Sequence, residues 1–413
     1  MNFFTHHPKL RFKVYTAITM SLVVALPWSA TALNRPEPNL LPKASILAST
    51  KTEDLIVQSL IEISSGQIDA ALGRLDQVIA TTPNFKLAHL VKGDLLMARG
   101  QQFQAFGSPN PSSEDVAGYR EEARKRIERY LAKDTDSQIP EPIWQLDRSQ
   151  AFILVVDADK SRLFVYRNEN GTPQYTADFY VTIGKNGSEK KYAGDKRTPL
   201  GVYFTSPKLP QKLADMYGDA AYPLSYPNEW DRRQGKTGSG IWLHGTPQDT
   251  YSRAPQSSDG CVVLSNQDLN TLMPILQQGN VPIIVSKGMV WLKPNQAPKD
   301  KQALLESLES WRKDWESQET ETYLGHYAND FSNGNLDFNH WAEGKRRIQA
   351  SKSKVDIKLS NLSVLRYPNN GLPMAIVTFD QSFRSNALDS QMRKRQYWIF
   401  ENQQWKIIYE GAA

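Results

Sequence analysis

The sequence has a single cysteine, Cys261, and only six histidines in 413 residues. One thiol cannot form an internal disulfide, so no covalent cross-link stabilises the fold. Long apolar runs are also scarce. The longest lies at residues 14–26 and is shorter than the about 20 residues that a membrane span needs. The sequence therefore predicts no membrane span in the mature chain, and it leaves two roles for Cys261, a small buried side chain or a nucleophile.

Strong positive charge is missing as well. The net charge is +5, and Lys9, Arg11 and Lys13 supply three of these charges within the first 32 residues, which hold no acid. The remainder carries 5 − 3 = +2, which gives little support to a nucleic-acid partner. These three residues, the apolar stretch and Ala30-Thr31-Ala32 have the order of a cleavable export signal over residues 1–32. We expect a periplasmic or cell-envelope protein; the alternative is an uncleaved anchor.

Residues 33–147 are predicted to be helical. A leader over 33–50 contains Pro36, Pro38 and Pro42 and is expected to be flexible. Two apolar helical patterns then run from 54 to 79 with a break at Gly66, and another runs from 113 to 132 after Pro109-Asn110-Pro111. The spacing resembles a tetratricopeptide repeat. A generic helical hairpin is the alternative.

Residues 148–287 change to the alternating pattern of strands. We predict a hairpin from 152–156 and 162–166, a third strand at 177–183, and further strands at 201–204, 241–243 and 281–285. One helix is predicted at 266–277, with Ser265 or Asn266 as its cap. An aromatic loop at 209–240 forms either a lid or a packing layer.

A linker is predicted at 288–300, followed by a C-terminal domain at 301–413. Its pattern is a helix at 301–330 and strands at 355–367, 374–383 and 391–400, before a final run at 404–410. This order resembles the NTF2-like α+β cone, which encloses a pocket. The predicted fold class is thus multidomain α+β: an N-terminal helical, tetratricopeptide-like region, a central mostly-β domain and a C-terminal NTF2-like cone.

His244 and Cys261 form the one pair in the central region that suits nucleophilic catalysis. His244 is the only histidine between His89 and His326, and it precedes Cys261 by 261 − 244 = 17 positions. A thiol with an ordinary pKa of about 8.5 needs a base, and imidazole can serve as one. The adjacent Gly245 and Gly260 permit close backbone approach. The N–H groups of Gly260 and Cys261 are candidates for an oxyanion hole.

Three motifs in residues 150–287 resemble the YkuD-type L,D-transpeptidase domain. They are His244-Gly245 followed by Ser258-Asp259-Gly260-Cys261, residues 194–203 reading GDKRTPLGVY, and the upstream Gly184-Lys185. The resemblance implies that Cys261 is the acylated nucleophile, His244 is its base, and the Gly245 carbonyl orients the imidazole. Asp259 and Val263 depart from the residues that many members carry there.

The resemblance implies peptidoglycan stem peptides as the substrate and needs no metal or cofactor. Because stem peptides carry carboxylates, cationic docking groups are expected. Arg253 is the first choice, since it lies between His244 and Cys261. Ser258, Asp259, Arg197 and Lys185 are the other predicted substrate contacts. The remaining cations considered are Lys190, Lys191, Lys196, Arg232, Arg233 and Lys236.

The acyl acceptor is open at this stage. A thioester on Cys261 that meets an amine, from a second stem or from a lipoprotein, gives transpeptidation, whereas water gives L,D-carboxypeptidation. The order of the three regions resembles a branch that includes L,D-carboxypeptidases of cell-shape control. A non-catalytic, wall-binding scaffold is the third alternative. Nothing in the sequence predicts the oligomeric state.

Overall fold

The computed structural model describes residues 43–99, 114–132, 137–350, 354–368, 371–386 and 388–413. The predicted signal at 1–32 and the predicted turn at Pro109-Asn110-Pro111 lie outside these residues. No helix within the described ranges is long and apolar enough to cross a membrane.

Helices make up the N-terminal part and recur at three places further along the chain. They are α1 (Lys43–Ser64), α2 (Ile68–Thr81), α3 (Lys86–Ala98), α4 (Glu114–Leu131), α5 (Glu229–Arg233), α6 (Asn266–Leu276), α7 (Lys301–Ser317), α8 (Thr320–Leu324) and α9 (Phe338–Gln349).

Strands begin after α4 and continue to the C-terminus. They are β1 (Ile139–Pro140), β2 (Ile143–Gln145), β3 (Phe152–Asp157), β4 (Arg162–Glu169), β5 (Thr172–Tyr180), β6 (Ile183–Gly184), β7 (Gly201–Phe204), β8 (Ala221–Pro223), β9 (Trp242–His244), β10 (Gln256–Ser258), β11 (Val262–Val263), β12 (Pro282–Ser286), β13 (Trp291–Leu292), β14 (Tyr327–Ser332), β15 (Val355–Arg366), β16 (Met374–Ser385), β17 (Asp389–Glu401) and β18 (Gln404–Ala412).

The helical N-terminal region is confirmed, with one difference at its start. Helix α1 begins at Lys43, so the flexible leader predicted to reach residue 50 is wrong over its last eight positions. Residues 43–50 read KASILAST, which has neither proline nor glycine and can therefore enter a helix. Gly66 takes φ +75° between α1 and α2, as its place at a break requires. Apolar residues of α1, α2 and α3 share one buried core.

The predicted helical region does not extend to residue 147. Strand β2 pairs with β15 of the C-terminal sheet, where Gln145 opposes Val364, and β1 pairs with β13 in the predicted linker. The segment after α4 is therefore extended, and it joins the N-terminal region to the last domain. Strand β2 has only three residues, which is too short for a sequence pattern to reveal.

The central region is built on a five-stranded sheet with the order β5-β4-β3-β12-β7. The predicted β3–β4 hairpin is present, with Leu154 opposite Val165. The third predicted strand starts earlier than expected, at Thr172, and separates into β5 and β6. A second sheet with the order β11-β9-β8 lies beside the first and carries the candidate site. Helix α6 starts as predicted, because the Ser265 side chain accepts the Asp268 N–H.

The C-terminal domain is a six-stranded sheet with the order β14-β18-β17-β16-β15-β2, covered by α7, α8 and α9. The single helix predicted to reach residue 330 is wrong. Gln318 takes a left-handed φ of +60° and ends α7, and a strand starts at Tyr327. Helix α9 was not predicted from the sequence; Asp337 caps it by accepting the His340 N–H.

The central and C-terminal sheets share a hydrophobic core. Ile153 and Val155 of β3 belong to the same buried cluster as Leu365, Ile376 and Tyr397 of the C-terminal sheet. Such continuous apolar packing stabilises one relative arrangement of the two sheets. The predicted linker at 288–300 contributes to this junction, since Trp291 also packs against the cluster.

Candidate active site

Two parallel strands bring the cysteine and the histidine to one face of the second sheet. Val262 pairs with Leu243, and Val263 pairs with His244. Cys261 therefore stands beside Trp242, two positions along from His244. Side chains alternate between faces, so Cys261, Val263, Trp242 and His244 point to the same side. The strand spacings place the Cys261 and His244 Cα atoms roughly 8 Å apart, which two facing side chains can bridge.

Cys261 is partly buried and is a free thiol. The Trp242 N–H donates to Sγ at 3.4 Å, and Sγ lies 3.5 Å from the Gly240 carbonyl oxygen. Burial raises the pKa of this thiol; the Trp242 N–H lowers it, Asp259 raises it further, and Lys190 and Arg253 lower it. Burial outweighs the positive charges, so the resting group is a thiol.

His244 is held in one tautomer. The residue is 3% exposed, and Nδ1 lies 2.7 Å from the Gly245 carbonyl oxygen. A carbonyl only accepts, so Nδ1 carries the proton and Nε2 has a free lone pair. Burial lowers the pKa of His244 to about 4, and the Arg253 charge acts in the same direction. The ring is thus a neutral imidazole at neutral pH.

Tyr217, from the aromatic loop at 209–240, packs against the histidine. Its ring centroid lies 5.2 Å from that of His244 and 4.9 Å from that of Trp242. Tyr222 and Tyr226 of the same loop are buried in the core of the central sheet. For these two residues the packing alternative is correct. Tyr217 is the one that reaches the site.

Asn266 fixes the loop that carries the Gly245 carbonyl. Its amide donates to the Thr246 carbonyl at 2.9 Å, and its oxygen accepts the Asp219 N–H at 3.0 Å. A Cβ on Gly245 would lie 2.0 Å from that oxygen, and one on Gly218 would lie 2.1 Å from it. Glycine at both positions therefore lets Asn266 reach the backbone. The sequence predicted Asn266 only as a possible cap, because its partners lie far away along the chain.

Thr198 of the GDKRTPLGVY motif stabilises the turn before Cys261 through two hydrogen bonds. Thr198 is completely buried; its hydroxyl accepts the Gly184 N–H at 2.9 Å and donates to the Gly260 carbonyl at 3.0 Å. Gly260 has φ +124°, and a Cβ there would lie 2.8 Å from the Arg197 carbonyl oxygen. The motif is thus a support for the Cys261 turn.

This turn bears on two site predictions. The Gly260 N–H donates to the Ser258 hydroxyl at 3.1 Å, so it is not available to an oxyanion. The Ser258 hydroxyl in turn donates to the Cys261 carbonyl at 2.7 Å, and Ser258 is buried. The Ser258 hydroxyl is therefore occupied in shaping the turn. The Cys261 N–H remains the candidate oxyanion donor.

Asp195 of the same motif organises the adjacent loop. Its carboxylate accepts the Lys190 ammonium at 2.7 Å and the Lys191 N–H at 2.7 Å, and Lys190 and Asp195 are both buried. Burial alone would raise the pKa of Asp195, but these partners hold it below its usual range. Lys190 is therefore a structural cation that places positive charge near Cys261.

The other predicted contacts separate into near and distant groups. Arg253 affects the pKa of both Cys261 and His244, and its Nη2 donates to the Ser257 carbonyl at 2.6 Å. Asp259 forms an exposed ion pair with Lys185 at 3.1 Å. Lys185 neutralises the charge of Asp259 only in part, since Asp259 still raises the pKa of Cys261.

Arg197 does not reach the site. Its guanidinium donates to the Ser188 carbonyl at 2.9 Å and lines a cleft of about 630 Å³ whose lining contains neither Cys261 nor His244. Arg233 pairs with Asp330 of the C-terminal domain, and Lys236 pairs with Asp231. Among the described residues, no group of three or more His, Cys, Asp or Glu side chains is arranged to hold a metal ion.

Comparison with known protein families assigns the two C-terminal parts of the chain. Residues 151–285 match the model of the L,D-transpeptidase catalytic domain, YkuD, and residues 303–411 match the Cds6 C-terminal NTF2-like domain. The chain carries a YkuD domain followed by an NTF2-like domain. The pair His244 and Cys261 lies within the YkuD match. No curated protein matches the chain.

Solved structures resemble the chain across both domains. Bd1075 of Bdellovibrio bacteriovorus is 27% identical with a TM-score of 0.59, and the alignment covers 67% of this chain and 98% of that one. Pgp2 of Campylobacter jejuni, a helical cell shape determining protein, is 25% identical with a TM-score of 0.57, covering 68% of this chain and 98% of that one. The similarity therefore extends over nearly the whole of both solved chains.

Proposed function

We propose that the protein is a cysteine-dependent L,D-transpeptidase that acts on the tetrapeptide stems of peptidoglycan in the cell envelope. The observation that carries this proposal is the His244–Gly245 hydrogen bond on the strand beside Cys261, which leaves Nε2 free as a base. The YkuD match supports the substrate class. No cofactor takes part in the proposed reaction.

The reaction begins when Cys261 Sγ attacks the carbonyl carbon of the third stem residue, the L-centre of diaminopimelate. The thiol proton passes to His244 Nε2 as the S–C bond forms. The bond to D-alanine then breaks, and the same proton goes to the departing amine. The product is a thioester on Cys261 and free D-alanine. The Cys261 N–H faces the developing oxyanion, while Arg253 and Lys185 supply positive charge for stem carboxylates.

The thioester then reacts with an acceptor. An amine of a second stem or of a lipoprotein gives a new amide and restores the thiol. Water gives a tripeptide stem instead, and this carboxypeptidase outcome is the second candidate. Two observations favour this outcome. The chain is similar to Pgp2, which is described as a helical cell shape determining protein. The domain order also resembles that of L,D-carboxypeptidases of cell-shape control.

Mass spectrometry of purified tetrapeptide muropeptides tests the proposal. Wild-type protein should convert them, whereas Cys261→Ala should show no conversion. Cys261→Ser keeps the size of the side chain and provides the matched control for folding. A 3–3 dimer as product establishes transpeptidation, and tripeptide alone establishes carboxypeptidation. A wild-type protein that yields neither product would contradict an enzymatic function and favour the scaffold alternative.

A further inference from the structure

The segment between His244 and Cys261 is bound by the N-terminal helices as well as by the central domain. Asn84, in the turn between α2 and α3, accepts the Tyr251 N–H at 3.1 Å and donates from its amide to the Gln248 carbonyl at 3.0 Å. Lys86, the first residue of α3, donates to the Thr250 hydroxyl at 3.1 Å. These bonds connect residues 164 or more positions apart in sequence, so they form only when the helical region docks on the central domain.

Packing strengthens this connection. The Tyr251 side chain is buried, and its ring centroid lies 4.6 Å from that of Phe85. Tyr251 belongs to the same hydrophobic core as the residues of α1, α2 and α3. On α4, Gly118 lies so close to the segment that a Cβ there would be 2.8 Å from the Ala254 Cβ. The catalytic segment therefore contributes a core residue to the helical region.

A buried charge network completes the contact at the residue before Arg253. The Ser252 hydroxyl donates to Glu122 of α4 at 2.6 Å, and Glu122 is completely buried. The same Glu122 oxygen accepts two hydrogen bonds from Arg126, at 3.0 and 2.9 Å. Arg126 also pairs with Glu53 of α1. Burial raises the pKa of Glu122 to about 8. Its carboxyl holds a fixed position, because any other position would leave the buried donors of Ser252 and Arg126 without their acceptor.

The β4–β5 hairpin of the central sheet anchors the other side of this network. Glu53 also pairs with Arg162 of β4, and Arg129 of α4 donates to Asp178 of β5 at 2.6 Å. Helix α4 is thus joined to the sheet by the buried Arg129–Asp178 pair, and helix α1 is joined to it by the Glu53–Arg162 pair. The position of Glu122 relative to the catalytic strands is set by the fold rather than by the segment itself.

Arg253 transmits this constraint to the reaction site. Its backbone carbonyl accepts the Tyr180 hydroxyl at 2.9 Å and the Thr182 hydroxyl at 3.1 Å, while its guanidinium reaches the Ser257 carbonyl. The Ser252–Glu122 bond adds a further anchor one residue earlier in the chain, so its loss would loosen the backbone at Arg253 while the Tyr180 and Thr182 bonds remain. The guanidinium, whose charge acts on Cys261, would then be held less firmly.

We propose that the N-terminal helical region is a clamp on the segment at 246–254, and that Glu122 is a positioning residue that fixes the backbone at Ser252 and Arg253, together with Tyr180 and Thr182. The proposal rests on the proposed function, in which Cys261 is the nucleophile. It assigns the helical region a part in the chemistry of the YkuD domain.

The test measures the rate of Cys261 alkylation by iodoacetamide between pH 6 and 10, in full-length protein with residue substitutions. Ser252→Ala removes the bond to Glu122 and should slow alkylation at pH 8 by up to about twofold, because the thiolate fraction falls when the guanidinium is held less firmly. Ser59→Ala is the matched control. Its hydroxyl is also buried in the helical region and donates to the Ile56 carbonyl of its own helix. Cys261 in this variant should be alkylated at the wild-type rate.

A double-mutant cycle separates positioning from a general loss of stability. With Arg253→Met already present, Ser252→Ala should slow alkylation no further, because the group that it positions is gone. The clamp is refuted if Ser252→Ala behaves like Ser59→Ala, or if its effect is equally large beside Arg253→Met. Failure of the proposed function looks different: wild-type protein would alkylate with the expected pH curve and Ser252 dependence yet leave tetrapeptides intact.

Discussion

Lowering the pH from 7 to 4.5 should destabilise the protein through His244. The buried imidazole has a pKa of about 4 in the folded protein, against an ordinary value of 6.5. Between these two pH values the unfolded chain binds a proton at this position and the folded protein does not. Acid therefore favours the unfolded chain, and the stabilisation is present above pH 6.5 and is lost as the pH falls towards 4.

The size of the effect follows from the two pKa values. At pH 7 both states are largely deprotonated, and partial protonation of the unfolded chain lowers the free energy of unfolding by about 0.2 kcal/mol at most. At pH 4.5 the unfolded state is almost fully protonated, and the free energy of unfolding is lower by about 2.5 kcal/mol. The net loss is about 2 kcal/mol, a large part of the stability of an ordinary domain.

Urea unfolding at the two pH values, in wild type and in His244→Gln, measures this loss. Glutamine cannot titrate, so the variant should lose about 2 kcal/mol less than wild type on acidification. His340→Gln is the matched control, because this exposed imidazole has its pKa raised by Asp337 and should not make the protein more acid-sensitive. NMR titration gives the pKa directly. A His244 ring that titrates near 6.5, or equal acid sensitivity in wild type and His244→Gln, would refute the reasoning.

Two further predictions concern the surroundings of Cys261. Thr198→Val keeps the shape of the side chain but leaves the Gly184 N–H and the Gly260 carbonyl without their partner, so the free energy of unfolding should fall by about 2–3 kcal/mol in chemical denaturation. The control is Thr271→Val, because the Thr271 hydroxyl bonds a carbonyl of its own helix, and this variant should lose less than about 1 kcal/mol. Equal losses in the two variants would contradict the supporting role of Thr198. Asp259→Asn should lower the pKa of the thiol and raise its alkylation rate up to about twofold at pH 8 in low salt, with little gain in 1 M salt; an unchanged or slower rate in low salt would show that the carboxylate does not act on Cys261.

The candidate pair, His244 and Cys261, could be proposed from the sequence because its signals are local. His244 and Cys261 are rare residue types, each next to a glycine, in segments of strand-like pattern. Local patterns also gave the β3–β4 hairpin and the start of α6. Such features depend on residues within a few positions of one another, and a sequence displays those interactions directly.

The supporting contacts could not be predicted, because they join residues that are distant along the chain. Thr198 bonds to Gly260 across 62 positions, and Ser252 bonds to Glu122 across 130. The pairing of β2 with the C-terminal sheet is of the same kind. The Gly260 N–H was predicted as an oxyanion donor because the sequence does not show that Ser258 folds back to accept it.

The two pKa shifts at the site run opposite to those of a preformed thiolate–imidazolium pair, which needs a low thiol pKa and a high imidazole pKa. Burial instead raises the pKa of Cys261 and lowers that of His244, so both groups rest in their neutral forms. In the proposed reaction the proton must then move from Sγ to Nε2 while the carbonyl is attacked. Such a transfer demands that the two side chains be aligned beforehand. The tautomer fixed by Gly245, the turn supported by Thr198 and the segment held by the N-terminal helices all provide that alignment.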